Sequence, residues 1–118
     1  RGTDLAELTG RMSCGCYDIP ALEFRSTSVY TNKMALGAYR GAGRPEANYL
    51  MERLMDAAAR QTGMDAVELR KKNVIAPQNF PYRTQLGDTY DAGEFARIID
   101  GAVAANAEVA HVVQMHRQ

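Results

Sequence analysis

The sequence predicts an α+β fold, in which a short strand is followed by three helices, with a mainly helical fragment as the alternative. A run of β-branched and aromatic residues at 21–32 indicates the strand. Apolar residues at three- and four-residue steps indicate the helices that follow. The chain has 118 residues and no internal repeat, which is enough for one modest core. We therefore treat residues 1–118 as a single segment.

The N-terminal third combines a short helix, a loop and the strand. Residues 4–9 favour a helix that Gly10 is expected to stop, and glycine and proline punctuate a loop over 14–20. The strand at 21–32 alternates imperfectly, because serines share a face with its apolar residues. We expect it to be only partly buried.

Two helices follow a glycine-rich stretch. The first is predicted over residues 45–62 and is closed by Gly63. Asp65 is expected to cap the second, with Glu68 three residues on in capping-box spacing. This second helix is expected to end before Pro77.

An ordered loop over 76–90 separates these helices from the third, which is expected to start around Asp91 and Glu94. Its predicted buried stripe comprises Phe95, Ile98, Ile99, Ala102 and Val103, continued by Val109, Val112 and Val113.

Composition excludes several classes of function. Fourteen basic and fourteen acidic residues cancel, and the isoelectric point is about 6.9. We therefore expect no nucleic-acid partner and no attraction to an anionic membrane. No apolar run is long enough to cross a bilayer.

The cysteines and histidines do not predict a metal site. Cys14 and Cys16 are too close in sequence for an unstrained disulfide, so we expect reduced thiols and a cytoplasmic protein. Their spacing is also shorter than structural zinc sites use. His111 and His116 are five positions apart, which turns them about 140° from each other on a helix.

The stretch AYRGAGRPEA, residues 38–47, has two interpretations. Its glycines let the chain turn into a helix, and the same arrangement can hold an anion on unpaired N–H groups. Glu46 stands where a dinucleotide fingerprint requires glycine, and the Gly-Lys-Ser/Thr of a P-loop is absent. The residues alone do not decide between a simple turn and an anion-binding loop.

Several motifs in order resemble one family. They are CYDIPALEF, TNKMALGAYRGAGRPEANYLMERLMDAAAR and LRKKNVIAPQNFPYRTQLGDTYDAGEF, which together cover about residues 16–100. The chain resembles the molybdopterin-binding large subunit of the xanthine dehydrogenase, aldehyde oxidase and carbon monoxide dehydrogenase family. By motif it is most similar to the carbon monoxide dehydrogenase-type subunits that carry AYRGAGR. The resemblance implies a piece of a larger molybdopterin-binding domain.

The resemblance also implies a chemistry and partners. Such enzymes are oxidoreductases that hydroxylate small molecules with oxygen from water at a molybdenum–molybdopterin cofactor, with the cytosine dinucleotide form expected here. Electrons leave through an iron–sulfur subunit and an FAD subunit. The family's catalytic glutamate falls outside these residues, so we expect no catalytic side chain, no side-chain metal ligand and no turnover by this segment alone.

Residue roles follow from the same resemblance. Arg40 and Gly41 correspond to cofactor-binding positions, Arg40 through its backbone amide. The expected substrate pocket comprises Tyr39, Ala42, Gly43 and Arg44. The resemblance implies that alanine at 42 replaces an aromatic residue that purine- and aldehyde-oxidising relatives usually carry and that packs on a flat substrate, which argues against purines. Glycine at 41 replaces the copper-binding cysteine of carbon monoxide dehydrogenases, so an aldehyde or an N-heterocycle is the expected substrate.

A second hypothesis belongs to a different class. The chain would be a non-catalytic helical module whose amphipathic helices bind a partner protein. The helix at 45–62 and the valine-rich tail after Asn106 motivate it. Exposed apolar surface predicts self-association of the isolated segment under either hypothesis.

Overall fold

A computed structural model describes residues 2–34 and 37–115, with side chains at 4–34 and 37–107. Within these ranges it contains α1 (Gly2–Arg11), α2 (Arg44–Thr62), α3 (Ala66–Asn73) and α4 (Phe95–Met115). A 3-10 turn (Pro77–Asn79) precedes an antiparallel pair, β1 (Tyr82–Arg83) and β2 (Thr89–Tyr90), in which Tyr82 is opposite Tyr90 and Arg83 opposite Thr89. The predicted α+β class is confirmed.

The strand predicted at 21–32 is wrong. This segment has no strand partner among the described residues, and residues 25–34 are exposed throughout. A strand forms only where a neighbour satisfies its backbone groups, and β1 and β2 pair with each other instead. Strand composition is present in 21–32, but the partner is missing.

The helix predicted at 45–62 is confirmed, starting one residue earlier. Gly63 ends it in the left-handed conformation with φ 68°. Asp65 caps α3 as predicted, because its Oδ1 accepts hydrogen bonds from the N–H groups of Val67 and Glu68 at 2.9 and 3.0 Å.

The prediction that Gly10 stops the first helix is wrong, since α1 continues to Arg11. A Cβ on Gly10 would lie 2.7 Å from Cδ1 of Phe24, so the glycine makes room for that ring. Packing of Phe24 on the helix outweighs the weak helix propensity of glycine, which costs about 1 kcal/mol.

The buried stripe predicted on α4 is largely wrong. Phe95 and Ile99 are half-buried, whereas Ala102 is exposed and the exposed fractions of Ile98 and Val103 are 67% and 45%. Few described groups cover the helix: Phe80 packs on Phe95 with ring centroids 5.9 Å apart, and Lys71 pairs with Asp100. The side chains of Val109, Val112 and Val113 lie outside the described residues.

The core is small and is centred on α2. Its buried apolar residues among those described are Cys14, Tyr17, Ala47, Met51, Ala59 and Ile75. Helix α2 packs on both α1 and α3 through this cluster. No helix in the described part of the chain has the length and apolarity that a membrane span requires.

Candidate functional site

The glycine loop at 40–43 is a pair of tight turns leading into α2. The N–H of Ala42 donates to the carbonyl of Tyr39 at 2.9 Å, and the N–H of Arg44 donates to the carbonyl of Gly41 at 3.1 Å. Gly41, Ala42 and Gly43 have φ values of 97°, 40° and 87° in succession. Such a left-handed run favours glycine, and Ala42 is the one non-glycine residue with positive φ in the described chain.

Steric contacts also explain why positions 41 and 43 of the loop are glycine. A Cβ on Gly41 would lie 2.8 Å from Cδ of Pro45, the residue that opens α2. A Cβ on Gly43 would lie 2.7 Å from the backbone nitrogen of Thr9 and 2.9 Å from the carbonyl oxygen of Leu5. Gly43 therefore seats the loop directly on the α1 backbone, and Gly41 fixes its turn against the start of α2.

The loop presents polar groups to its surroundings. Tyr39, Arg40 and Gly41 are exposed, and Ala42 is half-buried. The N–H groups of Arg40 and Gly41 have no hydrogen-bond partner in the described residues, and neither Arg40 nor Arg44 pairs with a carboxylate there. Unpaired donors beside cationic side chains fit an anionic cofactor such as a molybdopterin.

The predicted site residues are therefore brought together, with one difference in orientation. Tyr39, Arg40 and Gly41 are exposed and Ala42 is half-buried, whereas Gly43 is buried against α1. The Nη1 of Arg44 lies 3.4 Å from the carbonyl oxygen of Gly41, so its side chain folds back under the turn.

An open cleft of about 410 Å³ adjoins the start of α2. Arg44 and Asn48 line it from α2, and Cys16, Tyr90 and Asp91 line it from the opposite side. Burial, followed by the charge of Glu52, raises the pKa of Cys16, so its thiol is protonated at neutral pH. Arg44, the residue that follows the glycine loop, is thus the point at which the loop adjoins this cleft.

A polar cluster that the sequence analysis did not predict joins α2 to α3 and to Tyr17. The Tyr17 hydroxyl donates to Oε1 of Glu52 at 2.7 Å, and Nε of Arg70 donates to Oε2 of Glu52 at 2.7 Å. Nη2 of Arg70 donates to Oδ1 of Asp56 at 2.8 Å. We call Tyr17, Glu52, Asp56 and Arg70 the Arg70 cluster.

The contacts within the Arg70 cluster shift the pKa values of its members. Burial and then the hydrogen bond to Glu52 raise the pKa of Tyr17. Burial opposes the charge of Arg70, but its hydrogen bonds to Asp56 and Glu52 outweigh burial and raise its pKa. The hydrogen bond from Arg70 lowers the pKa of Asp56. The Arg70 cluster therefore joins α2 and α3 through charged hydrogen bonds from Arg70 to Glu52 and Asp56.

Short backbone pairing joins the same region. Asp18 N–H donates to the carbonyl of Asn73 at 2.8 Å, Ile75 N–H donates to that of Cys16 at 2.9 Å, and Tyr17 bridges Val74. No periodicity announces so short a pairing, because each side contributes only a few residues. The available signal for this pairing was that CYDIP and NVI occur, in that order, in the motifs that carry the family resemblance.

Metal ligation by side chains finds no support in the described residues, where no three histidine, cysteine, aspartate or glutamate residues group together. Cys14 and Cys16 are unpaired thiols. The side chains of His111 and His116 lie outside the described residues.

Comparison with known proteins gives consistent matches. Residues 2–74 match the family model described as the molybdopterin cofactor-binding domain. The carbon monoxide dehydrogenase large chain of Hydrogenophaga pseudoflava is 47% identical over 83 residues, covering 69% of this chain and 10% of that protein. The nicotine 6-hydroxylase large subunit of Paenarthrobacter nicotinovorans is 38% identical over 86 residues, covering 73% of this chain and 10% of that protein.

The fold matches as well. Quinoline 2-oxidoreductase from Pseudomonas putida 86 superposes with a TM-score of 0.77 at 34% identity, over 94% of this chain and 14% of that one. The chain spans about a tenth of the length of the two curated relatives described above. These matches confirm the resemblance that the ordered motifs indicated.

Proposed function

We propose, from the premise that this chain belongs to the molybdopterin cofactor-binding domain family, that it forms one wall of the active site in a molybdenum hydroxylase. The observation that carries the proposal is the loop at 40–43, whose exposed donors and positive φ values suit close approach of an anionic group. The parent subunit would be an oxidoreductase that oxidises an aldehyde or an N-heterocycle with water-derived oxygen.

This chain's own residues would bind and orient the cofactor. The N–H groups of Arg40 and Gly41 would donate to the cofactor, and the Arg40 guanidinium would offset its negative charge. Gly43 holds the loop on α1, which fixes where those donors point. The bound molybdenum cofactor would supply the redox chemistry, as cofactors do in general. This division of labour predicts no turnover by residues 1–118 alone.

Substrate selection would depend on Ala42, with Tyr39 and Arg44 beside it. Ala42 is half-buried and offers only a methyl group, so a flat purine would gain no aromatic stacking from this position. Gly41 has no side chain with which to hold copper, which argues against carbon monoxide as substrate. The names of the relatives for nicotine and quinoline favour screening N-heterocycles together with aldehydes.

The remaining parts of the assembly are proposals of the same kind. We propose the cytosine dinucleotide form of the cofactor, and an iron–sulfur subunit and an FAD subunit as partners. Relatives called a large chain and a large subunit support a multi-subunit parent. A cytoplasmic location is part of this proposal and agrees with the unpaired Cys14 and Cys16.

Metal and pterin analysis of the full-length subunit, purified from its own host, is the first test. We expect molybdenum and releasable pterin in equal amounts, and turnover of at least one aldehyde or N-heterocycle. A properly folded subunit with neither molybdenum nor pterin would contradict the proposal.

A glycine substitution then tests the role of the loop. Gly41→Ala places a methyl group 2.8 Å from the Pro45 ring at a φ of 97°, so the turn must shift. We expect kcat to fall at least tenfold with molybdenum content retained, since misplacement by about 1 Å costs on the order of 100-fold. Gly37→Ala is the matched control, because open space surrounds Gly37 and the activity should stay within twofold.

The second candidate, a non-catalytic module that binds a partner protein, is favoured by one observation. Tyr49, Leu50 and Leu54 on α2 have exposed fractions of 67%, 51% and 63%. A folded full-length protein without molybdenum that retains a tightly bound protein partner would favour this candidate over the hydroxylase.

A further inference from the structure

The glycine loop at 40–43 rests on one backbone hydrogen bond of α1. A Cβ on Gly43 would lie 2.7 Å from the backbone nitrogen of Thr9 and 2.9 Å from the carbonyl oxygen of Leu5. These two atoms belong to residues four apart in α1, the spacing at which an α-helix joins N–H to C=O. One Cα–H bond of a glycine points where a Cβ would stand, so Gly43 directs it at this pair. We call the Leu5 carbonyl and the Thr9 N–H the loop seat.

The side chain of Thr9 binds to the same seat. Its hydroxyl donates to the carbonyl oxygen of Leu5 at 2.8 Å, so this oxygen faces the hydroxyl and the N–H of Thr9 as well as Gly43. A hydroxyl that bonds to the carbonyl four residues earlier bends a helix locally. The hydroxyl therefore influences where the Leu5 carbonyl lies under the loop.

Thr9 is held in place by a second hydroxyl. Oγ of Ser13 donates at 2.6 Å to the carbonyl of Thr9, which lies in the last turn of α1, where carbonyls lack helical partners. Among the described residues the buried polar ones are Thr9, Ser13 and Thr84, so two of the three lie at the loop seat. Alanine forms helices better than threonine, and a buried hydroxyl is unfavourable without a hydrogen bond. A buried threonine at this position is therefore explained by its bond to Leu5, not by helix formation.

We propose that Thr9 is a positioning residue for the glycine loop, acting through the Leu5 carbonyl and Gly43. The inference rests on the proposed function, in which the N–H groups of Arg40 and Gly41 donate to the cofactor. Those donors precede Gly43 by three and two residues, so a displacement at the seat reaches them through a short run of tight turns. Thr9 is buried, and it acts on the donors through these contacts.

Two substitutions isolate the hydroxyl. Thr9→Ala and Thr9→Ser both remove the methyl group, and only Thr9→Ala removes the hydroxyl. Amide hydrogen exchange is measured in the full-length subunit at Ala42 and Arg44, whose N–H groups donate to the carbonyls of Tyr39 and Gly41 and so report on the loop's own turns. We expect both amides to exchange at least threefold faster in Thr9→Ala than in Thr9→Ser. Equal exchange in the two variants overturns the proposal.

Exchange within α2 shows whether the effect is local. Amides of residues 51–60 should differ by less than twofold between Thr9→Ala and Thr9→Ser, because α2 satisfies these groups within itself. A rise there as large as the rise at Ala42 and Arg44 would mean that the whole fold has loosened, and it overturns the proposal.

Thr62 provides the matched control. Its hydroxyl makes the same kind of bond, to the carbonyl of Ala58 at 2.8 Å, at the end of α2 opposite the loop. Thr62→Ala and Thr62→Ser should therefore differ by less than twofold in exchange at Ala42 and Arg44. A difference as large as that between the Thr9 variants overturns the proposal, because loss of a hydroxyl anywhere would then loosen the loop.

Molybdenum content and turnover, measured on the same preparations, separate this inference from the proposed function. At equal molybdenum content we expect kcat to be at least threefold lower in Thr9→Ala than in Thr9→Ser, because small misplacements of positioning groups slow turnover. Equal kcat overturns the positioning role. A threefold difference in exchange without molybdenum upholds the action of Thr9 on the loop while the proposed function fails. Equal exchange in a molybdenum-containing subunit does the reverse.

Discussion

At the scale of single residues, the functional loop is built by small side chains rather than by reactive ones. Gly41 and Gly43 have positive φ, and a Cβ added to either would lie within 3 Å of an atom of a neighbouring residue. Ala42 tolerates φ 40° between them. The role that we propose for this loop would therefore depend on how closely a ligand can approach its backbone, and on the two arginines that flank the glycines, Arg40 and Arg44.

Gly43→Ala should be the most disruptive substitution in the loop. The added methyl group meets the α1 backbone at 2.7 Å and is also strained by φ 87°. We expect the free energy of unfolding, measured with urea, to fall by about 2–4 kcal/mol. Gly87→Ala is the matched control, since it has φ 96° in open space and should cost about 1 kcal/mol. Equal losses would contradict the close contact.

The Arg70 cluster predicts a pH dependence on the acid side. Arg70 lowers the pKa of Asp56 in the folded state, so the folded protein binds fewer protons there than the unfolded chain does. The stabilisation is therefore present above about pH 4, the ordinary aspartate range, and is lost as the pH falls through the lowered folded pKa.

Urea unfolding of wild type and Asp56→Asn between pH 7 and pH 3 measures this. We expect the difference in unfolding free energy to shrink towards pH 3, and to shrink far less in an Arg70→Gln background, where the partner is absent. A difference that is constant down to pH 3 would show that Asp56 contributes nothing through its charge.

At the scale of elements, local signals were sufficient where they were strong. Helix α2 was predicted within one residue from its apolar spacing and its proline and glycine ends. The Asp65 cap of α3 was also readable, because capping is decided by residues adjacent in sequence. The hairpin of β1 and β2 was missed, since two-residue strands have no periodicity to detect.

The Asp65 cap gives a prediction at this scale. Asp65→Ala removes the acceptor for two N–H groups and should lower the unfolding free energy by about 1 kcal/mol. Asp65→Ser keeps a capping oxygen and should cost no more than a few tenths of a kcal/mol. Thermal unfolding followed by circular dichroism distinguishes the two, and equal losses would contradict the capping role.

At the scale of the whole molecule, several large apolar side chains of the described residues are exposed on α2 and α4. Tyr49, Leu50 and Leu54 on α2 and Ile98 on α4 are each more than half exposed. Large exposed apolar patches mark surfaces that another chain or domain covers. Under the proposed function the parent subunit is several times longer than this chain, and the rest of its polypeptide would cover this surface.

The isolated chain should therefore self-associate through α2. We expect light scattering at micromolar concentration to detect oligomers, and the double substitution Leu50→Glu and Leu54→Glu to shift the chain towards monomer at least tenfold in dissociation constant. Ala57→Glu is the control, because it adds charge to α2 at an exposed small residue. An equal shift with Ala57→Glu would contradict an apolar interface.

The sequence by itself determined the family, the loop and the helices with strong ends. Its ordered motifs carried the resemblance, and its glycines and arginines singled out residues 39–44 before any contact was known. These features are local, so neighbouring residues suffice to specify them.

Tertiary structure decided what depends on distant partners. Helix α1 continues through Gly10 because the Phe24 ring packs there. The Arg70 cluster brings together side chains from three separate segments. Residues 21–32 have no strand to pair with among the described residues. A helix satisfies its backbone hydrogen bonds within itself, whereas a strand or an ion pair between segments exists only where another segment supplies the partner.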